Sequence, residues 1–455
     1  MGTFNRNTIY CILIALTLAP PAYAVAAVTD ETPVAPAVNA SPMEQEDTSA
    51  SLLPEEELSP AETLFGRETG YLHPFLRSEE SWTDNIFYSN EDEVGSWLTH
   101  LVPGMWLTLP RSKNLPVSIT PDNTSPAGLQ AQINDEQLGT ERYQAFILGD
   151  LDSSIYSEDS NLNSTGGDVQ GLFRYNMRGG LSLQGLDAYK DSNDSFRDTS
   201  SSNRSVRYYD SNLAMATADY RISEKFRVKT DYSNFSLDYD DSSDSALNRD
   251  DNAVDLYTYF IYSVKTSLFL EYKFVDVNYD TASEKDSNQH YFYTGMDWKK
   301  SDKVKLHAKA GYQKREYDDS VTSLEDWGGL AFDLGADYRM SSKTTFTLAG
   351  YRRSDESGST VALYKTATGI RLGYNQELSP KITAMINGLW ENADYTNDDN
   401  SDRTDNRYQL APALQYSIYD WMMTKLTYSW DYRTSDSDIY EYTTNMLMLS
   451  LNISM

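Results

Sequence analysis

Few residues in this chain could do covalent chemistry. Its four histidines, His73, His100, His290 and His307, never fall at metal-ligand spacing on one strand or helix, so metal catalysis has no support. A hydrolase at a membrane rim would need a histidine beside a serine or a pair of acids. His100 and His290 could each be set near many serines, yet no nucleophile elbow and no glycine-rich phosphate loop accompanies them. The sequence therefore reads as non-enzymatic, with neither metal nor cofactor. Residues 238–244 and 398–405 are rich in carboxylates, which suit a hard cation such as Ca²⁺, but neither fits a twelve-residue EF-hand loop. A solvated acidic surface is the simpler account.

A different chemistry lies in the spacing of the cations. Lys303, Lys305, His307 and Lys309 alternate with Val304, Leu306, Ala308, Ala310 and Tyr312. A period of two belongs to a β-strand with one basic and one apolar face, since a helix would scatter the lysines around its axis. Read strand by strand, the same parity collects Lys225, Arg227, Lys229, Lys273, Arg339, Arg371 and Lys425. Rings of charge bias which ions enter a pore, so these residues are expected to line a lumen and to favour anionic solutes at its inner mouth. The alternative is that they only pair with acids on neighbouring strands. Tyr257, Tyr259, Tyr291 and Tyr293 share the parity and could stack on sugar rings, although tyrosine is also a good strand former.

The elements that must position these residues follow from composition and order. The chain has 34 tyrosines and 13% aromatic residues at a formal charge of -30, a foldable composition and not that of a disordered chain. So acidic a chain suggests no nucleic-acid partner. Arg6, the apolar run 9–19 and the small-residue site Ala22-Tyr23-Ala24 read as a secretory signal peptide over residues 1–24. Cys11 lies inside it, which leaves the exported chain without thiols. Residues 25–68 are rich in Pro, Ala, Glu, Ser and Thr and read as a flexible acidic periplasmic tail.

From residue 69 to residue 455 the chain alternates, in eighteen candidate strands, and no stretch is apolar enough for a membrane helix. Tilted strands of about 9–11 residues suffice to cross a bilayer. Connections alternate between tight turns, such as 178–179, 223–224, 300–302 and 341–342, and longer acidic loops, such as 191–205, 240–251 and 318–326. Short periplasmic turns opposite long outer loops mark an outer-membrane barrel. Tyr220, Tyr262, Trp298, Tyr338, Tyr374 and Tyr416 each precede a tight turn, and aromatics at one depth form a girdle at the membrane interface. A Lys or Arg facing lipid at mid-depth would cost about 2–4 kcal/mol, so the charged parity must point inward. Leu447, Leu449, Leu451, Ile453 and Met455 share one face of the last strand, which resembles the C-terminal alternating signal that outer-membrane proteins carry for the barrel insertion machinery.

Near the start, Phe75, Trp82, Asp84, Asn85, Ile86 and Phe87 are followed by Leu101, Val102, Pro103 and Gly104. This resembles the opening of an exopolysaccharide-associated outer-membrane β-barrel family of porin type, in which an Asp-Asn pair precedes a Pro-Gly strand. The resemblance implies a channel that works with polysaccharide export proteins, and it transfers no catalytic role to Asp84 or Asn85. On physical grounds the pair forms the first outer turn, with Asn85 taking an unusual backbone conformation.

The expectation is an all-β transmembrane antiparallel barrel of about 18 strands with an N-terminal periplasmic tail, placed in the outer membrane of a Gram-negative bacterium. Its partners would be lipid, lipopolysaccharide, the insertion machinery and export proteins with their polysaccharide. The expected function is passive conduction associated with exopolysaccharide export. The alternatives are a general diffusion porin, a rim-active enzyme or a surface-binding structural barrel. Residues 111–140 are unusually long for a periplasmic connection and are expected to form a constriction or a docking site.

Overall fold

The computed structural model of the chain describes residues 70–112, 115, 119–128, 141–194, 206–317, 326–397 and 402–454. The expected signal peptide and tail, residues 398–401 and Met455 lie outside the described residues. Strands β1 (Gly70–Thr83), β2 (Ser96–Ser112), β3 (Tyr143–Tyr156), β4 (Ser164–Asn176), β5 (Leu181–Asp194) and β6 (Arg207–Arg221) come first. They are followed by β7 (Phe226–Tyr239), β8 (Arg249–Ser263), β9 (Thr266–Tyr279), β10 (Ser287–Ser301), β11 (Val304–Tyr317) and β12 (Trp327–Ser341). The last six are β13 (Thr344–Glu356), β14 (Ala362–Ser379), β15 (Ile382–Asn397), β16 (Arg403–Tyr419), β17 (Met422–Ser435) and β18 (Tyr442–Ser454).

Each strand pairs antiparallel with its sequence neighbour, and β18 pairs with β1 from Phe75↔Ser454 to Thr83↔Met446. The sheet is thus a closed barrel of eighteen strands. Closure gives every strand two partners, which a bilayer requires because lipid cannot satisfy an unpaired backbone group. Register shifts fall at strand ends, as between Lys299 and Ser301 of β10 and between Arg339 and Ser341 of β12. Pro103 has no N–H to donate, and the β2–β3 pairing stops at Leu101↔Ser153 and resumes in the same register at Gly104↔Asp150.

Five periplasmic turns repeat one device. The hydroxyls of Ser223, Ser263, Ser301, Ser341 and Ser379 accept the backbone N–H of Lys225, Lys265, Lys303, Lys343 and Lys381 at 3.1–3.3 Å. Each of those lysine carbonyls in turn accepts a backbone N–H from the next hairpin at 2.8–2.9 Å. The turns are therefore stitched to one another around the rim. Lys225 and Lys303, expected on strand walls, stand in these exposed turns instead, because β7 begins at Phe226 and β11 at Val304.

The outward face carries Tyr220, Tyr262, Tyr338 and Tyr416 just before the turns, with Leu447 and Leu449 on β18, all exposed. The inward face is not uniformly polar, which corrects the simple alternation. Trp106, Phe146, Leu172, Leu186, Leu213 and Phe235 form a buried apolar cluster inside the barrel, and Leu115 and Ile119 pack on it. Those two residues belong to the β2–β3 connection, so the apolar wall exists because this connection folds in to cover it.

Candidate functional site

The described residues 119–128 of that connection lie inside the barrel and narrow it. They form a self-closed turn: Asp122 N–H donates to Gly128 O at 2.8 Å, Gly128 N–H to Ser125 O at 2.9 Å, and the Asp122 carboxylate accepts Thr124 N–H at 2.8 Å. Gly128 has φ +70°, and a Cβ there would collide with the Phe235 ring, so only glycine fits. The turn is tied to the wall through its backbone. Ile119 N–H donates to Gln170 Oε1 at 2.7 Å, Ala127 N–H to Asp251 Oδ2 at 2.8 Å, and Glu356 N–H to Thr124 O at 2.8 Å. Arg249 adds a bond to Ser125 O at 3.1 Å. A packed segment whose polar backbone groups are met in this way is a built constriction.

The wall that receives it is densely charged. Arg249 pairs with Asp251 at 3.2 Å, and Arg315 with Glu356 at 2.7 Å, with both Arg315 and Glu356 wholly buried. Glu356 also accepts from Tyr279 Oη and Gln289 Nε2, each at 2.8 Å. A buried charge is tolerated only when it is compensated: Glu356 is both paired and hydrogen-bonded, and Arg315 is held by its ion pair with Glu356. From the outer turn Ser283–Lys285, the Lys285 ammonium reaches inward to Thr360 O at 3.0 Å. Burial pushes its pKa below the usual lysine range, while the nearby Glu356 carboxylate opposes the shift.

Beside the segment lies a cavity of about 100 Å³, roofed by Ser125 and Pro126. Its cations are mostly matched: Lys309 sits 3.1 Å from both Glu271 oxygens, and Lys229 3.4 Å from Asp231. Lys273 differs. Among the described residues it makes no ion pair; its ammonium lies 3.4 Å from Pro126 O and 5.5 Å from the centre of the Tyr291 ring. Asp255, its cross-strand neighbour, accepts Tyr257 Oη at 2.6 Å on one oxygen, and its other oxygen is buried with no hydrogen-bond partner among the described residues. The cavity therefore offers an ammonium and a carboxylate oxygen side by side, both with unmet capacity.

The remaining basic residues named from the sequence fall on the inner wall at different depths. Arg227 Nε contacts both Asp219 oxygens at 2.8 and 2.9 Å, and His307 Nδ1 lies 2.6 Å from Asp297. Arg371 lies 5.2 Å from the Tyr351 ring centre. Lys305, Arg339 and Lys425 share the inward parity of β11, β12 and β17 and are partly buried. Stacking of sugars on the four tyrosines is not what the geometry offers. The faces of Tyr257, Tyr259, Tyr291 and Tyr293 already carry Lys229, Arg227, Lys273 and Lys309 at 4.7–5.9 Å. Cross-strand pairing explains this, since Arg227↔Tyr259, Lys229↔Tyr257 and Lys273↔Tyr291 are direct partners.

The sequence profile of the family described as "Putative beta-barrel porin 2" matches residues 141–455. The chain belongs to that family. It is a porin-type channel of the Gram-negative outer membrane, with its outward face in lipid and lipopolysaccharide. The barrel is similar to OccAB4 of Acinetobacter baumannii, at 11% identity over 85% of this chain and 99% of that one, with a TM-score of 0.45. It is also similar to OprD of Pseudomonas aeruginosa, at 11% identity over 88% and 98% with a TM-score of 0.43. A third similar structure is Pseudomonas aeruginosa OpdK with vanillate, at 10% identity over 85% and 100% with a TM-score of 0.46. No curated protein sequence matches the chain.

In this porin the N-terminal motif closes the barrel seam and lies apart from the cavity. Asp84 accepts Asn445 N–H at 2.8 Å and Asn445 Nδ2 at 2.7 Å, across from β1 to β18. Asn85 is fully buried, accepts Ser89 N–H at 3.0 Å and donates to Ser89 O and Thr443 O at 2.6 and 3.0 Å. The unusual backbone expected of Asn85 belongs instead to Tyr88 and Asp92, at φ 50° and 52°. Asn85 is held by its side chain. Gly104 leaves room for the Phe75 ring on the inner wall.

The porin's histidines are scattered. His73 stacks on Trp106 at 3.9 Å, and His290 Nδ1 lies 3.0 Å from Tyr272 Oη. Both ring nitrogens of His100 meet carboxylates, Glu79 at 3.5 Å and Asp152 at 2.5 Å, which leaves neither to serve a serine. Sequence reasoning missed Arg249, Asp251, Arg315 and Glu356. The inward parity of Arg249, Asp251 and Arg315 was readable, whereas Glu356 has the outward parity of β13 and is buried all the same; nothing local shows that a segment remote in sequence would sit on them.

Proposed function

We propose that this porin passively conducts small solutes that carry an anionic group beside a hydroxyl or ammonium donor, with no covalent step. The carrying observation is the cavity's Lys273 ammonium, which makes no ion pair among the described residues, next to an oxygen of Asp255 with no hydrogen-bond partner among them. A buried charge with no counter-ion in contact is costly, and a passing solute that meets both groups relieves the cost beside the inward segment. Most other inner charges are matched within the wall, so they order the lumen more than they select a passenger. A general diffusion porin is the nearest alternative, and it would conduct small solutes without regard to this pair of groups. Export of an acidic polysaccharide is the second reading, favoured by the basic periplasmic mouth and by the N-terminal resemblance; it requires the inward segment to leave.

Single-channel recording in planar bilayers tests the first reading. Lactate and alanine should interrupt the current of the natural porin at lower concentration than propionate, which lacks the donor. Lys273→Gln should weaken block by all three, and Asp255→Asn should remove the advantage of lactate and alanine. Equal block in the natural porin and both variants would refute the assignment.

A further inference from the structure

We propose that the acidic N-terminal segment of this chain, within residues 25–69, docks on a basic arc at the periplasmic mouth of its own barrel. The arc is built by the five Ser-x-Lys turns. Their structural work is done by the serine hydroxyl and by the lysine backbone, whose N–H and C=O are both engaged. Any residue but proline could supply that backbone, so the turn geometry does not account for lysine at all five places. The side chains of Lys225, Lys265, Lys303, Lys343 and Lys381 are exposed. Lys265 and Lys381 reach only backbone carbonyls, those of Lys300 and Ile418, at 3.2 and 3.3 Å. Lys343 lies 4.0 Å from Glu377. Within the five turns the only carboxylates are Glu224 and Asp302, which leaves the arc basic.

Position adds to charge. Each lysine continues the inward parity of the strand it precedes, so the arc rings the mouth of the lumen and not the lipid belt. Successive lysines are two strands apart, about 10 Å along the rim. A partner that follows the arc must be an extended, carboxylate-rich chain. Residues 25–69 hold ten carboxylates against the single Arg67, including the run Glu55-Glu56-Glu57. They join the barrel at Gly70, which pairs with Ser112 at this same end. Forty-five residues cover about 35 Å as a coil, enough to cross the mouth. Tethering converts weak exposed ion pairs into an intramolecular contact at high effective concentration.

The test uses the full chain in uncharged detergent micelles without anionic lipid. A water-soluble carbodiimide should join Glu55, Glu56 or Glu57 to lysines of the arc at low salt, and not at about 1 M salt, where the Debye length falls to about 3 Å. A Glu-specific protease should cut at Glu62 faster once the five lysines are changed to Gln, by up to about thirtyfold if each exposed pair contributes a factor of about two. Changing Glu55, Glu56 and Glu57 to Gln leaves the barrel untouched and should accelerate the same cut. Exchanging the charges, with Glu in the arc and Lys in the segment, should restore protection. Equal cleavage in all variants overturns the proposal. So do cross-links that join only separate molecules, or protection that appears only when phosphatidylglycerol vesicles are added, which would assign the arc to lipid phosphates.

Discussion

Asp251→Ala should unlatch the inward segment. Asp251 is fully buried, and its carboxylate accepts Ala127 N–H at 2.8 Å while pairing with Arg249 at 3.2 Å. Alanine removes the acceptor and leaves the Arg249 guanidinium with its bond to Ser125 O and its position 5.4 Å from the Phe235 ring. A hydrogen bond to a charged group contributes about 1.5–3 kcal/mol. At about 1.4 kcal/mol per decade, the released state of the segment gains about 10- to 100-fold in population. In single-channel recordings the variant should spend at least about tenfold more time in a high-conductance state. Asp251→Asn keeps an acceptor oxygen and should fall between the two. Gly128→Val reaches the same end by another route, since its side chain would collide with Phe235 at a positive φ. An unchanged open fraction in folded Asp251→Ala and Gly128→Val barrels would refute the view that residues 119–128 limit conduction.

Arg315→Met leaves Glu356 buried without its cation and should destabilise the barrel by about 3–5 kcal/mol in urea titration of the lipid-embedded porin. Arg315→Met combined with Glu356→Gln should recover much of that loss. Asn85→Ala removes the buried side-chain bonds that tie the first outer turn to Thr443 and should cost about 1–3 kcal/mol, read in the same titration. Leu449→Arg, on the outward face of β18, should cost about 2–4 kcal/mol if it lies at mid-depth, whereas Ser450→Arg, which points inward, should give a different and packing-dependent loss. Because burial lowers the Lys285 pKa, the unfolded chain binds more protons between that lowered value and the ordinary lysine pKa. Stability should therefore rise with pH through that window, and Lys285→Met should abolish the rise.

Much of the barrel was legible along the chain because a strand in a bilayer is constrained residue by residue. Each outward position must suit lipid and each inward position can be polar, so a period of two and the alternation of tight turns with long loops give eighteen strands to within a few residues. The departures have local causes. The alternation over residues 71–88 reads as one first strand, but β1 ends at Thr83, because the side-chain bonds of Asp84 and Asn85 capture the backbone for a turn. The parity of Lys273 was readable, but not that it makes no ion pair among the described residues, since that depends on where Glu271 turns: to Lys309 on β11.

The sequence by itself determined which face of each strand meets lipid, the closed antiparallel order and the basic periplasmic turns, since these follow from periodicity and from neighbours in the chain. Only the tertiary structure decided how far the lumen is filled. Residues 119–128 meet Gln170, Asp251 and Glu356 across the barrel, and such contacts depend on how a connection folds back through space, which no local period encodes.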